Sequence, residues 1–79
     1  MYIDILLQTC EKFIHKTIQE LYDVLSIDEL LCIEGYSEGH GGWSLLNSTD
    51  VKEFGDDIIT TVMSLDENSI YIRSVSPYN

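Results

Sequence analysis

Asp57-Ile58-Ile59-Thr60-Thr61-Val62-Met63-Ser64-Leu65 is followed by Asp66-Glu67-Asn68-Ser69 and then by Ile70-Tyr71-Ile72-Arg73-Ser74-Val75. The outer runs are rich in Ile, Val and Thr, whose branched side chains are stiff at χ1 and suit a pleated surface. The four polar residues between them fit a hairpin loop. Alternation places Ile70 and Ile72 on one face of the second run, with Tyr71 and Arg73 on the other. Two antiparallel strands are therefore predicted here, and Pro77 stops the second.

The preceding stretch repeats this pattern in a weaker form. Leu30–Tyr36 is short, apolar and bounded by turn residues, so it is predicted to be a strand. Gly39-His40-Gly41-Gly42 makes a turn, and Trp43–Leu46 is predicted to return antiparallel to the first strand. Ser48-Thr49-Asp50, with Glu53 three residues beyond Asp50, predicts the start of a short helix that Gly55 ends.

The N-terminal third has a different period. Ile3, Leu6, Leu7, Cys10, Ile14, Ile18, Leu21 and Leu25 recur at three- and four-residue steps, and no Gly or Pro interrupts them. One long amphipathic helix over residues 3–25 is predicted, with a break near Thr17 as the alternative. The expected fold is α+β: this helix packed across an antiparallel sheet of about four strands, with the short helix between strands 2 and 3, in one domain over residues 1–79. Ile14, Leu21, Ile58, Val62, Ile70 and Ile72 are the expected core. Trp43 suits either the core or an interface.

Charge restricts function more than any motif does. Fourteen acids against four Lys and Arg give a net charge of −10 on 79 residues. Phosphate contacts need Lys and Arg, so direct nucleic-acid binding is not expected, and an anionic membrane surface would repel the chain. No run approaches the roughly 20 apolar residues of a membrane span, and the start lacks a basic region of the kind that opens a signal peptide. A cytoplasmic location is expected. Cys10 and Cys32 match no metal or redox spacing and are expected to be buried free thiols, with a disulfide as the alternative.

Catalytic patterns are few. Gly35-Tyr36-Ser37-Glu38-Gly39 fits G-x-S-x-G by letter, but Gly41 and Gly42 begin no helix and no His follows His40. Ser37 is therefore expected to be an exposed loop hydroxyl. His40 lacks a second His or Cys for a tight metal site, and His15 falls on the polar side of the expected helix. Neither a phosphate loop nor an EF-hand spacing occurs. No catalytic residue, metal or cofactor is expected.

The acids are unevenly placed. Residues 1–27 carry four acids and two bases, whereas residues 28–79 carry ten acids and two bases. Glu34, Glu38, Asp50, Glu53, Asp56, Asp57, Asp66 and Glu67 are the expected partner-binding residues, able to steer a basic protein or nucleoprotein complex if they share a face. An acidic, non-catalytic inhibitor that occupies a basic nucleic-acid-binding surface of its target is the expected function. In physical profile alone the chain resembles phage anti-CRISPR and anti-restriction proteins; no motif carries that likeness. An immunity protein or antitoxin against a basic nuclease toxin, or a subunit whose acidity serves only solubility, are the alternatives. A homodimer is left open.

Overall fold

The computed structural model describes residues 3–78. Its elements are α1 (Ile3–Glu11), α2 (Ile18–Tyr22), α3 (Ile27–Leu30), β1 (Ile33–Ser37), β2 (Gly41–Trp43), α4 (Ser48–Phe54), β3 (Ile58–Asp66) and β4 (Ser69–Val75). The α+β class is as expected, but two of its details are corrected.

The long helix over residues 3–25 does not form; α1 and α2 replace it, broken just before Thr17 as in the alternative, and α3 follows where no helix was expected. Residues 12–16 turn out of α1, and His15 adopts a positive φ of 75°. The backbone groups that a continuous helix would use internally bond to the start of β3 instead. His15 N–H donates to the Ile59 carbonyl (2.8 Å) and Ile59 N–H to the Lys16 carbonyl (2.9 Å), while Ile18 and Gln19 donate to Asp57 and Gly55 at 3.0 and 2.9 Å. Reciprocal caps then start the next helices. Thr17 pairs with Glu20 before α2, and Ser26 with Glu29 before α3. The apolar period continues through the break, because Ile18 and Leu21 are needed in the core whether or not the helix is continuous.

The sheet is mixed rather than antiparallel. Its order is β2-β1-β4-β3; each hairpin is antiparallel inside, but β1 and β4 pair in parallel where the two hairpins meet. Short loops dictate antiparallel pairing only between consecutive strands. The excursion through α4 brings the second hairpin back in the other sense. The β3–β4 turn is tighter than expected, since Asp66 pairs with Ser69 and leaves only Glu67 and Asn68 between them. β1 begins at Ile33, after α3, and β2 ends at Trp43. α4 is capped by Asn47, whose side chain accepts from Thr49 N–H, while Gly55 ends the helix as expected.

Ile33, Gly35, Ser37, Ile59, Ile70, Ile72 and Ser74 share the buried face of the sheet, and Leu6, Cys10, Ile18, Leu21, Leu30, Trp43, Leu45, Val51 and Phe54 complete the core. Leu21, Ile70 and Ile72 are buried as expected. Ile14, Ile58 and Val62 are only half-buried, and Ile59 takes the place expected for Ile58. A register shift between Ile59 and Thr61 explains this: the extra residue, Thr60, puts both Ile59 and Val62 on the inner face. Glu34, Tyr36, Thr61, Met63, Tyr71 and Arg73 make the outer face, where the Arg73 guanidinium lies 5.5 Å from the centre of the Tyr36 ring.

Both cysteines are free. Cys10 is fully buried, and Cys32 is half-buried, less than expected. Burial, reinforced by the charges of Glu29 and Glu11, pushes the Cys10 thiol up to about 12. Cys10 should therefore resist iodoacetamide at about pH 8.5, where an ordinary thiol is half ionised, and mass spectrometry should find it alkylated only after unfolding.

The break at His15 gives a test of sign. A residue held at positive φ is strained by roughly 1–2 kcal/mol, and Gly relieves that strain. His15→Gly should raise stability in urea unfolding by about 0.5–1 kcal/mol. In a continuous helix the same substitution would lower it by a similar amount.

Candidate functional site

The two hairpins meet over a small buried polar cluster. Ser37 ends β1 and Ser74 lies opposite it on β4, so the parallel register sets both hydroxyls on the inner face. Asp57, just before β3, lies beneath them, 5% exposed. Its Oδ2 accepts from Ser74 Oγ at 3.0 Å and also from Ser37 Oγ. Trp43 Nε1 donates to Ser74 Oγ at 3.1 Å, so the donors run in series from indole to hydroxyl to carboxylate. Every buried side-chain nitrogen and oxygen among the described residues has a partner. A carboxylate out of water survives here because hydroxyl donors replace its hydration.

Gly35 makes room for this arrangement. It pairs with Trp43 across β1 and β2, and the indole lies directly over it. A Cβ on Gly35 would come within 2.1 Å of the ring. Trp43 is 5% exposed, which places it in the core.

Beside Asp57 a shallow pocket of about 100 Å³ opens, lined by His40, Glu53, Phe54, Asp57 and Ser76. Pockets for drug-sized ligands run to roughly 300–1,000 Å³. This one matches a single polar group in size. No group of three or more His, Cys, Asp or Glu among the described residues is arranged to hold a metal ion. No helix among them is long and apolar enough to cross a membrane.

Ser37 is corrected: it is fully buried and bonded to Asp57, whereas an exposed loop hydroxyl was expected. Asp57 is corrected likewise, from a surface acid to a buried internal acceptor. The alternation signalled one of these residues. Ser74 falls in phase with Ile70 and Ile72, and a polar residue at a core position calls for a buried partner. Nothing local marked Asp57 as that partner.

The remaining expected contact residues fall into separate groups. Glu38, Glu53 and Asp56 are exposed near the end of the sheet that holds the pocket, and Asp56 accepts from the Tyr78 hydroxyl at 3.0 Å. That bond and the Asp56 charge raise the Tyr78 hydroxyl pKa above its ordinary value. Asp50 is half-buried and accepts from Ser44 N–H at 2.8 Å, so it holds the chain between β2 and α4. Glu34 is exposed on the outer face beside Tyr71. Asp66 and Glu67 are exposed at the opposite end of β4, roughly 20 Å away by strand rise. The Asn68 amide and the Ser69 hydroxyl hold the Asp66 carboxyl below the usual range. The eight acids therefore do not form one contiguous patch.

No known protein family, curated protein or solved structure matches this chain.

Asp57→Ala should cost about 1–3 kcal/mol for each buried hydroxyl it leaves unpaired, whereas Glu53→Ala on the pocket rim should stay within about 0.5 kcal/mol. Gly35→Ala should destabilise by about 1–3 kcal/mol or more, through overpacking against the indole. Urea unfolding of the three variants, followed by Trp43 fluorescence, measures all of these effects.

Proposed function

We propose that this chain is a non-catalytic binding protein whose acidic surface occupies a basic, nucleic-acid-binding groove on a partner protein. The observation that carries this reading is the exposure of the acidic surplus. Of ten acids in residues 28–79, which contain only Lys52 and Arg73 as bases, Asp57 alone is buried; Asp50 and Glu29 are half-buried and the others are exposed. Acids that served the fold would be tied up in its interior. These remain available to solvent and repel one another, an arrangement that a cationic partner would relieve.

Glu38, Glu53 and Asp56 are the favoured contact group. Glu53 lines the pocket; Asp56 directly precedes Asp57 and Glu38 precedes Gly39-His40, and Asp57 and His40 also line it. The pocket has room for one cationic side-chain head. Asp57 supports the site from within. Asp66 and Glu67 form a second point of contact at the far end of the sheet, at a spacing that suits an extended groove better than a compact knob. The inhibitor resembles anti-CRISPR and anti-restriction proteins in charge and size only.

The test begins with a partner captured at low salt. The affinity of that partner for nucleic acid is then measured by fluorescence anisotropy, with and without this protein. Competition is expected, and it should fade as salt shortens screening from about 8 Å at 0.15 M to about 3 Å at 1 M. Joint reversal of Glu38, Glu53 and Asp56 to Lys should weaken the complex roughly tenfold or more, while reversal of Glu11 on α1 should matter little. A partner that binds nucleic acid normally in the complex, with affinity indifferent to salt and to these reversals, would overturn the reading.

A further inference from the structure

β3 is an outer strand of the sheet and the longest, at nine residues. Among the described residues its outer edge is closed only at the start, where Thr17 bridges to Ile58 and the His15 and Lys16 backbone bonds to Ile59. From Thr60 onward no strand among the described residues lies beyond it. The open stretch is Thr60-Thr61-Val62-Met63-Ser64-Leu65, with no charge, Pro or Gly. Unpaired edges of this kind recruit other strands unless they are blunted by charges, Pro or bulges. Register shifts occur at Ile59/Thr61 and at Ser64/Asp66, and they flank the regular segment Thr61–Ser64 without interrupting it. Met63 and Leu65 are 44% and 50% exposed.

The charges at the two ends of this edge differ. Lys16, whose carbonyl is bonded to Ile59, stands by the start of β3 and is exposed, its ammonium 5.9 Å from the centre of the Phe13 ring. It is one of only four Lys and Arg residues in the chain. Of the acids near that end, Glu20 is turned to the Thr17 amide and Asp56 to the Tyr78 hydroxyl. The far end carries Asp66 and Glu67, both exposed. Basic and acidic ends are separated by roughly 20 Å of strand, too far to compensate each other within one molecule.

Such an edge is complementary to itself read backwards. We infer that β3 pairs antiparallel with β3 of a second copy about a two-fold axis near Met63, joining the two sheets into one of eight strands. The register that follows sets Val62 against Ser64, Thr61 against Leu65 and Thr60 against Asp66 of the other copy. Asp66 and Glu67 of each copy then stand beside Lys16 of the other, as an isologous interface requires. Met63 and Leu65 of both copies are covered. A foreign cationic strand would be matched only at the Asp66 end and opposed at the Lys16 end. In the dimer Asp66 and Glu67 are taken up by the second copy, which leaves Glu38, Glu53 and Asp56 as the acids open to the proposed basic partner.

Sedimentation velocity of the full chain at roughly 0.1–1 mM tests it, a range in which a dimer with a sub-millimolar Kd is substantially populated. The expected species has twice the 9.0 kDa chain mass. Met63→Lys brings like charges together on the axis and should shift the mass to that of a monomer, with the far-UV circular dichroism unchanged because the side chain is exposed. Lys16→Glu, and Glu67→Lys, should each raise the dimer Kd several-fold. The two together in one chain reverse the polarity of the edge and should restore dimerisation. A monomer throughout this range overturns the inference, as does a dimer that survives Met63→Lys or one whose single charge variants are not rescued by the pair.

Discussion

The buried carboxylate of Asp57 touches both halves of the molecule. Ser37 and Trp43 belong to the first hairpin; Ser74 belongs to the second, and Asp57 leads into it. Their hydrogen bonds cross the one place where strands run parallel, between β1 and β4. Apolar packing at that junction favours contact between the hairpins but tolerates sliding. A carboxylate that must find hydroxyl donors out of water does not, because a change in pairing would leave a buried charge unsolvated. The close seat of Trp43 on Gly35 adds a steric constraint to the polar one. Together these contacts hold the sheet order on which the placement of the exposed acids depends.

The segment that carries Asp57 also accounts for the broken helix. Residues 54–59 lead from α4 into β3 and carry carbonyl and amide groups that would otherwise lie at a bare sheet edge. The segment around His15–Gln19 satisfies them by giving up helical hydrogen bonds of its own. Strain at His15 is the cost, and the reciprocal cap at Thr17 and Glu20 offsets part of it. Helix propensity amounts to tenths of a kcal/mol per residue, so a few well-placed tertiary hydrogen bonds outweigh it. The two capping boxes, Thr17-Ile18-Gln19-Glu20 and Ser26-Ile27-Asp28-Glu29, were legible as helix starts. The apolar period, unbroken to Leu25, masks the first; the second lies beyond its end, beside the stretch that reads as a strand.

Of the acids singled out from the sequence, Glu34, Glu38, Glu53, Asp56, Asp66 and Glu67 are exposed, while Asp50 and Asp57 are turned inward to structural duties. Composition alone made the acidic character plain. It could not distinguish an acid that meets solvent from one that holds a loop or a sheet junction. That distinction depends on which hydroxyl or amide folds up against each carboxylate, and such partners lie up to 20 residues away along the chain. Separation of the exposed acids into groups at opposite ends of β4 is likewise a product of strand pairing.

By itself the sequence determined the class and most of the parts. Alternation in Ile70–Ser74 and the branched residues of β3 specified the second hairpin, and the glycine turn specified the first. Ser48–Asp50 and Gly55 bounded a short helix, though Asn47 rather than Asp50 caps it. Of the eight apolar positions read in residues 3–25, Leu6, Cys10, Ile18 and Leu21 are buried while Ile3, Leu7, Ile14 and Leu25 are half-buried. These features are local, because side-chain period and turn chemistry act over a few residues. Only the tertiary structure decided that β1 and β4 run parallel, that the first helix breaks at His15, that Ile59 rather than Ile58 faces inward, and that Asp57 is buried. Each of these outcomes is a competition between backbone or side-chain partners distant in sequence. It is settled by which buried polar groups would otherwise go unpaired, and local periodicity carries no record of them.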